Sequence, residues 1–132
     1  MFLSCGSLTD LDVTNFNTTN VSRMSLMFSG CSGLSELDVS NFKTSNVVDM
    51  EAMFQNCSGI TTLDLSNFNT QNVTTMGYMF YGCSLLKNID VSSFDTKNVT
   101  NMEHIFRGCS SLSILDLTNF NKFLEEVDFF NK

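Results

Sequence analysis

The stretch "LDLSNFNTQNVTTMGYMFYGCS" runs from Leu63 to Ser84. Moved back 26 residues, the chain reads "LDVSNFKTSNVVDMEAMFQNCS", Leu37 to Ser58, and moved back again, "LDVTNFNTTNVSRMSLMFSGCS", Leu11 to Ser32. Units open at Leu8, Leu34, Ile60, Leu86 and Leu112, each step being 26 residues, and the register holds without insertion until Asn121. A fixed period of this size decides the architecture before any local propensity does, because units that cannot bury their own apolar face must stack.

Each unit has two halves. The first alternates: Leu8, Leu11 and Val13, then Leu34, Leu37 and Val39, then Ile60, Leu63 and Leu65. Apolar residues two apart suit a strand with one buried face. Phe16, Phe42, Phe68, Phe94 and Phe120 follow at the turn out of it. The second half is spaced at three to four, as in Val21, Met24, Met27 and Phe28, which predicts a short helix or 3-10 segment with one apolar side. Asn20, Asn46, Asn72 and Asn98, or Thr18, Thr44, Thr70 and Thr96, stand where N-caps belong. Gly30, Gly82 and Gly108, with Asn56 in the same column, stand where a left-handed residue would end the helix. The expected fold class is therefore an α/β repeat. It is a solenoid with a parallel β-sheet on one face and short helices or 3-10 turns on the other.

The domain organisation follows: a half repeat over 1–7, the solenoid over 1–121, and a tail over 122–132. The opening "MFLSC" is in register with "MFSGC" at Met27–Cys31, so it reads as half a unit, as a fragment would begin. Four residues ahead of Cys5 cannot hold a basic region and an apolar stretch, so no signal peptide is expected in this chain. In the tail, Phe123, Leu124, Val127 and Phe130 fall at helical spacing with Glu125, Glu126 and Asp128 between them, which predicts a capping helix. Met1, Phe2 and Leu3 offer no polar cap at the other end, and self-association through that face is the expectation unless more protein precedes it.

Charge narrows the partners. Fourteen acids against seven bases give −7, which argues against a nucleic-acid surface and against docking on anionic lipid. No apolar run approaches the roughly 20 residues that cross a bilayer, so no direct membrane insertion is expected. Asp12, Asp38, Asp64, Asp90 and Asp116 form one column on the outward side of the strands and are the candidate binding residues. Stacked carboxylates repel. Either they make an electronegative stripe for a basic partner or for divalent cations, or each accepts locally from Thr14, Ser40, Ser66 and their equivalents in an Asx-type turn. A flat ladder offers few of the roughly six to eight oxygens a calcium ion wants, so no metal site is expected.

Cys5, Cys31, Cys57, Cys83 and Cys109 form a second column. Its spacing fits neither a disulfide framework nor a zinc knuckle, and small buried hydrophobes are the better reading. His104 shares its column with Leu26, Ala52 and Tyr78, and no column places a nucleophile beside it. Several Asn-x-Ser/Thr sequons, among them those at Asn72 and Asn98, are by-products of an Asn- and Thr-rich repeat. Nothing here has the pattern of a phosphate loop, a metal-ligand pair or a nucleophile elbow, so neither an enzyme nor a cofactor is expected.

L-x-x-L-x-L followed by F-x-x-C-x-x-L, as in Phe28, Cys31 and Leu34 or Phe54, Cys57 and Ile60, resembles the BspA-type leucine-rich repeat. The fuller pattern "LDxSNFxTxNVxxMxxMFxGCS" resembles more closely a subgroup described as a domain of unknown function in bacterial surface lipoproteins. The likeness covers residues 1 to about 121. It implies a leucine-rich-repeat solenoid in an exported protein, at the cell surface or secreted, with adhesion or binding of a host protein or glycan as its role. A second class stays open, a spacer that only lengthens a larger surface protein. The exposed positions Thr9-Asp10, Ser35-Glu36, Thr61-Thr62, Lys87-Asn88 and Ser113-Ile114 are mixed and small, and they separate the two readings only weakly.

Overall fold

A computed structural model describes residues 1–120. The repeat period is also the stacking period. Met24, Leu26, Phe28 and Gly30 donate their N–H groups to the carbonyls of Asp49, Glu51, Met53 and Gln55, at 2.8, 2.9, 2.9 and 2.7 Å. One unit later Met50, Ala52, Phe54 and Asn56 do the same toward Thr75, Gly77, Met79 and Tyr81. Each unit is thus one rung, paired along its backbone with the next.

The expected helices are absent. Among the described residues there is no helical segment, and regular strand is confined to β1 (Thr62–Asp64) and β2 (Asn88–Asp90), paired in parallel with Leu63 opposite Ile89. The α/β solenoid with helices on one face is therefore incorrect for this chain. The reason lies in where alternate N–H groups go. Met27, Ser29 and Cys31 donate to the carbonyls of Met24, Leu26 and Phe28, three residues back, while the even-numbered residues between them donate across to the next rung. Past its first turn, a helix uses successive N–H groups within its own segment. Here half of them hold the stack, and successive β-turns replace the helix.

Left-handed residues keep these turns from closing. Leu26, Ala52, Tyr78 and His104 have φ of 59, 54, 57 and 53°, and Ser4, Gly30, Asn56, Gly82 and Gly108 form a second positive-φ column. Gly30, Asn56, Gly82 and Gly108 of this second column are the helix stops that the sequence predicts. They end a run of turns instead. Gly59 answers a different demand, since a Cβ there would meet the carbonyl oxygens of Ser32 and Leu34 at 2.6 and 2.7 Å.

The supposed caps also serve the stack. Asn46, Asn72 and Asn98 donate from Nδ2 to the carbonyls of Thr19, Ser45 and Gln71 in the preceding rung, at 2.8, 2.8 and 2.7 Å. Buried Thr44 donates to Asn69 O and accepts from Asn69 N–H, and Thr18 and Thr70 act likewise toward Lys43 and Asp95. Asn41 Nδ2 reaches Val13, Thr14 and Phe16 carbonyls, and Asn67 repeats the contact one rung on. These donors and hydroxyls, costly to leave unpaired in a narrow core, are satisfied rung by rung, while Asn41 Oδ1 is buried without a partner.

Between the two arms runs the core. Phe2, Phe28, Phe54, Phe80 and Phe106 stack with ring centroids 5.8, 5.7, 5.8 and 5.4 Å apart and planes within 14°. Val47, Met50, Met53 and Leu65 are fully buried around them. The predicted capping helix of the tail lies outside the described residues.

Two expectations follow. Phe80→Ala should lose about 3–5 kcal/mol in a urea melt, because the ring is buried between two others. A loss below about 1 kcal/mol, the size of a surface change, would contradict the ladder. Ala52→Gly should leave stability nearly unchanged, since relief of the left-handed backbone offsets the lost methyl, whereas Ala52→Val should cost about 2 kcal/mol or more. Equal effects of the two substitutions would show that no left-handed turn is present.

Candidate binding face

The Asp column is placed by the first arm of each rung. Residues alternate there, so Leu63 and Ile89 point inward while Asp64 and Asp90 stand exposed beside them. Thr14, Ser40, Ser66, Ser92 and Thr118 each donate their N–H to Oδ1 of the Asp two residues earlier, all at 2.9 Å. Thr14 and Ser92 add a hydroxyl bond at 2.6 Å. These bonds hold the carboxyls of Asp12, Asp38, Asp64 and Asp90 below their ordinary pKa, the hydroxyl contact contributing most. At Asp116 the backbone N–H of Thr118 contributes most. Mutual repulsion with the neighbouring column members opposes the effect at Asp38 and Asp90 without reversing it.

The Asx-turn reading of the column thus has its geometry in place. Asp12, Asp38, Asp64 and Asp90 also line a groove. One concavity of about 650 Å³ is walled by Asp10, Asp12, Glu36, Asp38 and Asp64, and a second of about 380 Å³ by Asp64, Asp90, Ile89 and Ile114. They share Thr62 and Asp64. Among the described residues no group of three His, Cys, Asp or Glu is arranged to hold a metal ion, and no helix is long and apolar enough to cross a membrane.

The Asp column alone understates this face. Its floor changes along the stack: the column Asp10, Glu36, Thr62, Asn88, Ile114 passes from acid through neutral to apolar, and Ile114 is 70% exposed. The sequence shows these positions as mixed and small, and the fold sets them beside the Asp column on one face.

The thiols lie elsewhere. Cys31, Cys57, Cys83 and Cys109 are buried and donate S–H to the carbonyls of Phe2, Phe28, Phe54 and Phe80, at 3.1, 3.1, 3.1 and 3.0 Å. All five cysteines are free. Burial raises the Cys57 thiol to about 12 and that of Cys109 to about 11, and lifts Cys83 further. The sequon nitrogens of Asn72 and Asn98 are used as cross-rung donors.

An alkaline weakness follows. The unfolded thiols titrate near 9.0, below the folded ones, so their contribution is intact below that pH. It is lost as pH rises toward the folded values, by up to about 1.4 kcal/mol per pH unit per thiol. Urea midpoints at pH 8, 9 and 10 should fall more steeply for the native chain than for Cys57→Ala. Parallel slopes would mean that Cys57 ionises freely in the fold.

No curated protein and no solved structure matches the chain. A protein family does, over residues 1–131, which takes in every rung of the stack and the repeated Asp and Cys columns. By that match the chain belongs to the family described as Mycoplasma protein of unknown function, DUF285.

Proposed function

We propose that the chain is a non-enzymatic binding module of an exported or cell-surface protein, adhesive in type, and that its acid-lined groove takes an extended cationic segment of a protein partner. The observation that carries this reading is the continuity of the groove: two concavities meet at Thr62 and Asp64 and carry a carboxylate on each of rungs one to four. Rungs paired in parallel sit about 4.8 Å apart, so an extended segment lying along the stack meets a carboxylate every one to two residues. Field focusing by a one-signed cleft favours encounter with a basic partner. The acid-to-apolar floor would give such a segment a direction, with its basic residues over Asp10 and Glu36 and an apolar one over Ile114. The wider likeness to BspA-type repeats supports adhesion over other binding roles, and a glycan is the other partner class consistent with that likeness.

The spacer reading has one observation in its favour: each column Asp already accepts from its own turn, a local duty that needs no ligand. Fluorescence anisotropy with labelled hexalysine separates the two. Binding should weaken in the double variant Asp38→Asn, Asp64→Asn, weaken steeply with salt, and persist to below the ordinary carboxylate range, because these carboxyls are held ionised. Hexalysine binding that ignores both substitutions would remove the groove as the site and leave the spacer.

A further inference from the structure

The rungs are alike wherever the stack needs them to be, and among the places where they differ one gathers large aromatic and charged side chains away from the groove. In the column of left-handed residues, Leu26 and Ala52 give way to Tyr78 and His104. Three positions on, Ser29 and Gln55 give way to Tyr81 and Arg107. These four side chains meet. Tyr78 packs on Tyr81 with ring centroids 5.6 Å apart at 52°, and on His104 at 5.4 Å and 63°. The Arg107 guanidinium lies over the Tyr81 ring, 5.9 Å from its centroid. All four are half-buried.

The fold does not require this cluster, because Ala52 fills the same backbone position with a methyl group. His104 Nδ1 is buried and its Nε2 lies against Glu103, so the polar atoms left for a ligand are the Arg107 guanidinium and the phenol oxygens. Among the described residues Lys97 pairs with Asp95 and His104 contacts Glu103, and neither these nor any described hydrogen bond engages the Arg107 guanidinium or the two phenol oxygens. The His104–Glu103 contact runs from Nε2 to Oε1 at 3.2 Å. The local backbone, by contrast, is used: Tyr78 N–H goes to Glu103 O, Tyr81 N–H to Tyr78 O, and Arg107 N–H to His104 O.

A ligand here is met by ring faces, hydroxyls and one planar cation. An extended peptide binds largely through main-chain hydrogen bonds, and the N–H groups of Tyr78, Tyr81 and Arg107 are already committed within the stack. A pyranose presents an apolar C–H face and a rim of hydroxyls, and a carboxyl on its ring matches the guanidinium fork in a charge-assisted, bidentate pair. We propose that Tyr78, Tyr81, His104 and Arg107 form a binding site for a carboxylated sugar of the hexuronate class. The sugar ring lies against the tyrosines, the phenols bond its hydroxyls, and Arg107 takes the carboxylate. This site is independent of the groove and does not rest on its assignment.

Calorimetric titration of the full chain with a hyaluronan hexasaccharide, whose alternate rings are hexuronates, tests it against chitohexaose, a neutral chain of equal ring number. Saturable binding should appear with the acidic sugar and be at least about tenfold weaker with the neutral one, as expected for loss of a charge-assisted pair. Arg107→Gln should weaken it by about tenfold or more and Tyr81→Phe by a few-fold, each with an unchanged melting curve. Asp38→Asn, in the groove, should leave it unchanged, so failure of one site is distinguishable from failure of the other. The site is refuted if the acidic sugar does not bind by 10-millimolar concentrations (about the weak limit at which one such pair is useful). Equal affinity for chitohexaose or for hexaglutamate, or indifference to Arg107→Gln, also refutes it.

Discussion

Every other feature of this chain depends on the N–H groups that cross from one rung to the next. Met24, Leu26, Phe28 and Gly30 could have closed a helical turn on themselves, and their apolar spacing invites it. They donate instead to carbonyls 25 residues away, as do their counterparts in the following rungs. The exchange costs each rung a left-handed residue at Leu26, Ala52, Tyr78 or His104, roughly 1–2 kcal/mol apiece for a side chain larger than glycine. In return Met24, Phe28, Met50, Phe54, Met76 and Phe80, all buried, each have an acceptor for their N–H in the next rung, and a lost partner there would cost a comparable amount.

Once backbone pairing sets the rung spacing, each column must tolerate its own repetition. Phe satisfies that condition by stacking face over face, with neighbouring rings nearly parallel. Cys satisfies it because a thiol is small and can point its S–H at a Phe carbonyl of the rung before. Asn and Thr satisfy it by having both a donor and an acceptor to pass along the stack. Asp is the exception. It gains nothing from its neighbours, and its place is explained by the hydroxyl residue two positions later.

The period, the inward residues and the Asp turns were legible in the sequence, because each depends on residue spacing or on partners two positions apart. Val47, Met50, Met53 and Phe54 are core in either a helix or a turn arm, so burial could be read without knowing which. The helix itself was misread for the same reason. A chain of β-turns returns every three residues, as a short helix nearly does, and periodicity cannot tell them apart. What decides between them is the destination of alternate N–H groups, a property of the stack that no single unit displays. The caps failed likewise: Asn46 and Thr44 have the chemistry of helix caps, but their partners sit one rung away. The Tyr78–Arg107 cluster is not legible in the His104 column, which holds Tyr78 but not Tyr81 and Arg107; these stand three positions on, and the turn brings the two columns together.

A stack of this kind separates two kinds of information. Positions that recur in every rung are constrained by the rung above and below, and a change in one must be tolerated by both. Phe54 cannot be retuned for a ligand without disturbing Phe28 and Phe80. Specificity must then be written where rungs differ without harm to their neighbours, on outward positions such as 10, 36, 62, 88 and 114, or at the corners of the turns. Those are the places where acid gives way to isoleucine and where alanine gives way to tyrosine. The constant Asp column supplies charge along the whole face, but five identical carboxylates cannot by themselves give a partner a register. The variable columns can, and any selectivity this protein has resides in them.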